Sequence, residues 1–118
     1  INYNLKVVFH CFTGSDNLLS FCFDNKFYIS LSGIITFNSA EKIRSTIKDF
    51  PLDLILIETD SPFLAPVPVR GKINEPSFLK YTAEYLAKFY ELSFNDFEEI
   101  TDNNFFKLFN KTKRYNLL

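Results

Sequence analysis

Residues 54–62 of the chain read Leu54-Ile55-Leu56-Ile57-Glu58-Thr59-Asp60-Ser61-Pro62. Four consecutive branched aliphatic residues are typical of a strand that is buried on both faces. Because proline has no N–H to donate to a neighbouring strand, Pro62 should end this strand near Ser61. Asp60 is then expected near the carboxyl end of a buried strand, where ligands bind in parallel α/β folds. The alternative is that Asp60 only caps a turn beside Ser-Pro.

Two further strands are predicted upstream of this stretch. Both are short, rich in aromatic and β-branched residues, and closed by polar or glycine residues. The predicted strands cover residues 5–10, 27–32 and 54–59. The connections between them are long enough for parallel crossovers, so we expect three parallel strands, adjacent in this order.

Helices are predicted between and after the strands. The first covers Asp16 to about Phe23, and the second begins at a capping-box pattern, Asn38 with Glu41. A long loop, residues 61–74, follows the third strand and is of a length often associated with function. Three helical segments complete the prediction: one opened by Pro76, one beginning at Ser93 and a separate last one over residues 102–109.

Length and composition limit the fold class. The chain has 118 residues, 47% of them hydrophobic, which is enough for one modest core. It contains no Met and begins at Ile1, so we expect it to be a piece of a longer protein. Strands starting near residues 5, 27 and 54 approach the repeat of a (β/α)8 barrel, in which eight units take about 250 residues. Three units cannot close a barrel, so residues 1–118 are predicted to be the last part of one.

Charge, cysteines and hydropathy limit the cellular location and the partners that we expect for the chain. The net charge is −1, and a basic cluster (Lys111, Lys113 and Arg114) is expected to be a solvated helix end. Cys11 and Cys22 match neither a disulfide framework nor a metal motif, and free thiols fit a reducing cytoplasm. No apolar run approaches the roughly 20 residues that cross a bilayer, so no membrane partner is expected.

His10 and Asp60 are the candidate metal ligands. Each is placed at the carboxyl end of a strand in one parallel sheet, so both should face the same rim. Imidazole and carboxylate together suit Zn²⁺, Mn²⁺ or Mg²⁺. The alternative for His10 is a hydrogen-bonded core histidine. Two ligands also fall short of the three that a catalytic zinc site usually has.

Four motifs stand out along the chain. They are Phe9-His10-Cys11-Phe12-Thr13-Gly14-Ser15, residues 27–33 (Phe-Tyr-Ile-Ser-Leu-Ser-Gly), Glu58-Thr59-Asp60-Ser61-Pro62-Phe63-Leu64-Ala65-Pro66, and Arg70-Gly71-Lys72 with Asn74-Glu75-Pro76. Together they resemble the motifs of the TatD family of metal-dependent hydrolases. The resemblance implies a TIM barrel of the amidohydrolase superfamily, with strands six, seven and eight in this chain. It also implies a deoxyribonuclease that acts on DNA with two divalent metal ions per complete site.

The resemblance assigns roles to individual residues. His10 corresponds to the strand-six metal ligand, and Asp60 corresponds to the strand-eight metal ligand and proton acceptor. Arg70 and Lys72 are candidates for holding flanking phosphates, and the alternative, favoured for Lys72, is an ordinary solvated charge. Glu58 is expected to point into the barrel wall or to support Asp60 rather than to bind metal. The family's other ligands belong to an N-terminal barrel segment that these 118 residues do not include.

Three functions remain open at this point. The first is a segment of a TatD-like deoxyribonuclease that is inactive by itself. The second is a non-catalytic remnant or partner-binding fragment of such a barrel, which the incomplete ligand set favours. The third, a small phosphate-binding α/β domain, is disfavoured because the chain has no glycine-rich phosphate loop and too few strands.

Overall fold

Three short parallel strands form the sheet. In the computed structural model, which describes residues 4–112, these are β1 (Val8–Phe9), β2 (Tyr28–Leu31) and β3 (Ile55–Ile57). They lie in the order β1-β2-β3, and both neighbouring pairs are parallel. The predicted number, order and direction of strands are therefore confirmed. Each strand is shorter than predicted, because the hydrogen-bonded pairing covers only two or three positions per pair.

Four helices accompany the sheet. They are α1 (Asp16–Asn25), α2 (Glu41–Ile47), α3 (Leu79–Phe89) and α4 (Phe94–Leu108). Single 3₁₀ turns cover Gly33–Thr36, Asn38–Ala40, Leu52–Leu54 and Pro76–Phe78. None of the helices within residues 4–112 has the length and apolar character that crossing a membrane requires. Of the predicted basic cluster, Lys111 is exposed, whereas Lys113 and Arg114 lie outside the described residues.

Serine caps begin two of the helices, but the predicted asparagine cap is wrong. The Ser15 side chain accepts a hydrogen bond from the N–H of Leu18 at the start of α1. Ser93 does the same for the N–H of Asp96 at the start of α4. Asn38 instead begins a 3₁₀ turn, and α2 starts after Ala40 without a side-chain cap. The turn moves the capping position by two residues, from Asn38 to Ala40, so the capping-box spacing no longer applies.

The last two predicted helical segments are one helix in the structure. Residues 94–108 run without interruption, because no glycine or proline lies between them. Thr101 is accommodated in mid-helix because its hydroxyl donates to the carbonyl oxygens of Phe97 and Glu98. Four residues at helical spacing along α4 are buried, namely Phe97, Thr101, Asn104 and Leu108.

The main hydrophobic core lies against one face of the sheet. Ile29 pairs in register with Ile55, and Leu31 pairs with Ile57, so these four side chains share a face. Buried residues from all four helices belong to the same cluster, namely Leu19, Cys22, Ile47, Ala83, Leu86, Ala87 and Phe97. The opposite face carries Ser30 beside Leu56, and it borders a cavity rather than this core. The polar residue of β2 therefore points away from the main core.

Candidate metal centre and its rim

The carboxyl ends of the three strands form a common rim. His10 directly follows β1, Ser32 follows β2, and Asp60 comes three residues after β3. Because the strands are parallel and adjacent, all three residues belong to the same end of the sheet. The topology thus places both predicted metal ligands on one rim, as the strand order indicated.

His10 stands open to solvent and contacts one acid. Its side chain is 79% exposed, and its Nδ1 lies 3.6 Å from Oε1 of Glu58. This separation is longer than an N–H···O hydrogen bond, which usually spans 2.7–3.2 Å. Within residues 4–112, His10 is therefore not a hydrogen-bonded core histidine, and its ring is open to solvent.

Glu58 connects all three strand ends. Its Oε2 accepts hydrogen bonds from the backbone N–H of Cys11, at 2.9 Å, and from the hydroxyl of Ser30. Only 20% of the Glu58 side chain is exposed. The carboxylate thus supports the turn after β1, two strands away. Two roles were predicted for Glu58, pointing into the barrel wall and supporting Asp60. These hydrogen bonds go to Cys11 and Ser30, so they do not support Asp60.

Two residues of the rim adopt left-handed backbone conformations. Cys11 has φ 50° and Asp60 has φ 58°. Such values cost a side chain other than glycine roughly 1–2 kcal/mol, with aspartate tolerating them better than most. The Cys11 Sγ also lies 3.4 Å from the hydroxyl of Ser32, which joins the first two strand ends. Unusual backbone angles at a ligand rim are a common property of functional sites.

Asn74 holds the turn that carries Asp60, a role that was not predicted although Asn74 belongs to the fourth sequence motif. This residue is 3% exposed, and its Nδ2 donates to the carbonyl oxygens of Thr59 and Phe63, both at 2.7 Å. Its Oδ1 accepts from the N–H of Glu75, and its own N–H donates to the carbonyl of Pro62. An Asn placed directly before Glu-Pro was the only signal in the sequence. The exposed Asp60 therefore lies on a turn that is held in place by hydrogen bonds from the buried Asn74 side chain.

Arg70 and Lys72 differ in how firmly they are held. The guanidinium of Arg70 lies over the ring of Phe37, with its Cζ 3.6 Å from the ring centroid. This stacking leaves the edge of the guanidinium available for further hydrogen bonds. Lys72 is exposed, and its backbone N–H donates to the carbonyl of Val69. Arg70 is thus the better oriented of the two candidate phosphate-binding residues.

The described residues supply metal donors of the right kind in insufficient number. Imidazole nitrogen and carboxylate oxygen are ligands that divalent metals take in proteins. Within residues 4–112, however, no three residues among His, Cys, Asp and Glu form a group that could hold a metal ion. The chain therefore fits the role of a partial ligand set and not that of a complete centre.

A cavity of about 610 Å³ adjoins this rim and was not foreseen from the sequence. On the sheet side it is bordered by His10, Ser30 and Leu56. On the helix side its walls include Thr101 and Phe105 of α4. His10 therefore stands between the rim and an open space beside the non-core face of the sheet.

The groups with perturbed pKa lie away from the rim. Burial raises the pKa of the Cys22 thiol, which therefore stays protonated in the core. Burial also raises the pKa of Tyr90, whose hydroxyl donates to the carbonyl of Ile47 at 3.2 Å. The pKa of Tyr28 is raised by burial first and by the charge of Asp53 second. These three groups belong to the packing of the fold and not to the candidate centre.

Comparison with known proteins gives consistent results. The family model for TatD-related DNase matches residues 2–110. The uncharacterized metal-dependent hydrolase YabD of Bacillus subtilis is 46% identical over 102 residues, which is 86% of this chain and 40% of YabD. The uncharacterized metal-dependent hydrolase YcfH of Escherichia coli K12 is 45% identical, over 86% of this chain and 38% of YcfH.

Solved structures match the chain over a similar share of their own length. The crystal structure of YJJV, a TatD homolog from Escherichia coli K12, superposes with a TM-score of 0.79 at 28% identity, over 87% of this chain and 40% of that one. A TatD family hydrolase from Entamoeba histolytica superposes with a TM-score of 0.76 at 17% identity, over 87% of this chain and 42% of that one, which speaks for the fold alone. The chain thus spans about 40% of the length of the proteins it matches.

Proposed function

Because the chain belongs to the family of TatD-related DNases, we propose that it is the C-terminal part of a barrel that hydrolyses phosphodiester bonds of DNA. The relatives YabD and YcfH are described as metal-dependent hydrolases, which supports hydrolysis as the class of reaction. DNA as the substrate and β1, β2 and β3 as barrel strands six, seven and eight are the further steps of the proposal. We also propose a cytoplasmic location, from the free Cys11 and Cys22.

The observation that carries the proposal is the common rim. His10 and Asp60 follow the two outer strands of one parallel sheet, which is where barrel enzymes of unrelated sequence keep their catalytic groups. His10 would contribute an imidazole nitrogen and Asp60 a carboxylate to a centre completed by residues from other barrel strands. When bound, divalent metal ions (Mg²⁺, Mn²⁺ or Zn²⁺, two in a complete site) polarise the phosphate and acidify water.

The residues of this chain would divide the remaining work. Asp60, displayed on the turn fixed by Asn74, would orient the attacking water and accept its proton. Arg70, oriented by Phe37, would hold a phosphate that flanks the scissile one. Lys72 would add positive charge to the same loop. Asp60, Arg70 and Lys72 are all exposed, which each of these roles requires.

The test compares variants of a longer protein that contains this chain. Asp60→Asn removes the proton acceptor while keeping the size of the side chain, and hydrolysis of DNA should fall by roughly 10²–10⁴-fold. Asp53→Asn is the matched control, since Asp53 is an exposed acid in the 3₁₀ turn that precedes the same strand. Near-normal turnover in Asp60→Asn would count against Asp60 as the base. Equal losses in both variants would point to a fold defect.

A second candidate function starts from the ligand count: within residues 4–112, no three residues among His, Cys, Asp and Glu form a group that could hold a metal ion. A partner-binding or non-catalytic fragment of such a barrel would also match about 40% of its relatives. The coding sequence upstream separates the two: an in-frame His-x-His favours the enzyme, and a stop codon favours the remnant.

The chain alone provides a complementary assay. With Mg²⁺, Mn²⁺ or Zn²⁺ and either single- or double-stranded DNA, the 118 residues should show no metal-dependent cleavage, because loosely held metal loses its fixed geometry against the phosphate. Robust cleavage that disappears in His10→Ala would prove this expectation wrong.

A further inference from the structure

We propose that Glu58 is a positioning residue that sets the tautomer and direction of the His10 imidazole. The inference rests on the proposed function, because it concerns how this chain presents His10 to a divalent metal. It assigns to Glu58 a role in preparing the ligand, and it excludes Glu58 itself as a ligand.

The two oxygens of the Glu58 carboxylate have different tasks. Oε2 already accepts two hydrogen bonds, from the N–H of Cys11 and from the hydroxyl of Ser30. Oε1 is the oxygen that faces Nδ1 of His10, at 3.6 Å. The first pair of bonds fixes the plane of the carboxylate, so the position of Oε1 is set before any ligand arrives.

An acceptor placed beside Nδ1 selects one form of a neutral imidazole. The proton is held on Nδ1, which leaves the lone pair on Nε2 for a metal. Metal-binding histidines commonly donate their second ring N–H to a carboxylate in this way. The separation of 3.6 Å is longer than a hydrogen bond, and hydrogen bonds of this kind often shorten only when a ligand is bound.

The exposure of the two side chains fits this division of roles. Glu58 is 20% exposed and anchored on two strands, whereas His10 is 79% exposed. The same carboxylate also holds Cys11, which directly follows His10 and has φ 50°. Glu58 therefore faces the ring of the histidine and holds the backbone beside it. A structural salt bridge would need only the first of these contacts.

His10 makes the inference directly testable because it is the only histidine in the chain. Nitrogen-15 NMR of the imidazole, recorded on the 118-residue chain without metal in alkaline solution where imidazoles are neutral, reports which ring nitrogen carries the proton. We expect the proton on Nδ1. A proton found mainly on Nε2 in the unaltered chain would overturn the proposal without recourse to any variant.

Substitution then separates positioning from direct ligation. In Glu58→Gln the amide oxygen can still accept from Cys11 and Ser30, but an NH₂ group now faces Nδ1. The proton should move to Nε2 in the chain. In the longer protein that contains this chain, Zn²⁺ affinity, measured by titration with Zn²⁺ alone, should fall by roughly 10–100-fold. Glu84→Gln is the control, because it removes the same charge from an exposed position on α3. It should change neither quantity by more than about twofold.

Each other outcome counts against the proposal. A loss of Zn²⁺ affinity with an unchanged tautomer would make Glu58 a ligand, and a changed tautomer with unchanged affinity would remove its role toward metal. If Glu58→Gln does not fold, the measurement on the unaltered chain decides. Failure of the longer protein to cleave DNA would refute the proposed function while leaving the tautomer result intact, so the two failures are distinguishable.

Discussion

The turn that carries Asp60 depends on one buried amide, and replacing that amide should be costly. Asn74→Ala deletes two hydrogen bonds to the carbonyl oxygens of Thr59 and Phe63 and one from the N–H of Glu75. Each such bond contributes about 0.5–1.5 kcal/mol net, and a buried partner left unsatisfied adds to the loss. Because Phe63 is near solvent, water can replace part of what is lost. The expected loss in the free energy of unfolding is about 2–4 kcal/mol.

Urea unfolding of the chain, followed by far-ultraviolet circular dichroism, measures this loss. The midpoint should fall while the dependence on urea concentration stays the same, since the surface exposed on unfolding hardly changes. Asn25→Ala is the matched control, because its amide makes a single exposed hydrogen bond to the carbonyl of Phe21. That variant should differ from the unaltered chain by no more than about 0.5 kcal/mol.

Amide hydrogen exchange connects the stability change to the rim. The N–H of Phe63 donates to the carbonyl of Asp60 at 2.9 Å, so its exchange reports whether the turn stays closed. It should exchange faster in Asn74→Ala than the global loss of stability explains. A destabilisation below about 1 kcal/mol, with unchanged exchange at Phe63, would refute the view that Asn74 fixes this turn.

Two further predictions concern packing and alkaline pH. Gly33→Ala should destabilise the chain by about 1–3 kcal/mol or more, because the added Cβ would lie 2.3 Å from the backbone carbonyl oxygen of Leu64. Gly14→Ala is the control, because its Cβ would meet the side chain of Leu18, which can move. Equal midpoints of the two variants in thermal unfolding would contradict this prediction. Because burial raises the pKa of Tyr90, its contribution to the free energy of unfolding is complete below the unfolded pKa of 10.0 and declines as the pH rises above that value. Stability should therefore fall above about pH 10, and Tyr90→Phe should reduce that fall; an unchanged pH dependence in the variant would speak against Tyr90 as its source.

Local patterns were sufficient for much of the fold. The apolar run before Glu58 predicted a buried strand, and crossover length predicted parallel neighbours, because both depend on residues that are close in the chain. The helix starts at Asp16 and at Ser93 were predicted for the same reason. The position of His10 and Asp60 on one rim followed from strand direction alone, which is a property of topology and not of side-chain packing.

Local patterns failed where competing contacts were close in energy. The capping-box pattern at Asn38 was displaced by a 3₁₀ turn, and the start of α2 moved to Glu41. The boundary predicted near residue 102 does not exist, because Thr101 satisfies its hydroxyl within α4. Propensity differences of a few tenths of a kcal/mol per residue cannot outweigh the burial of a whole helix face.

Local sequence patterns did not predict contacts between residues far apart in the chain. Glu58 meets Ser30 and Cys11 across 28 and 47 positions, and Asn104 donates to the carbonyl oxygens of Leu52 and Ile55 across 52 and 49. Whether such groups meet depends on strand register and helix placement, which a one-residue slip would change completely. The residue types and their order thus determine an α/β barrel segment with a histidine and an aspartate at strand ends. The network around Glu58 exists only because three-dimensional packing brings separate strand ends within hydrogen-bonding distance.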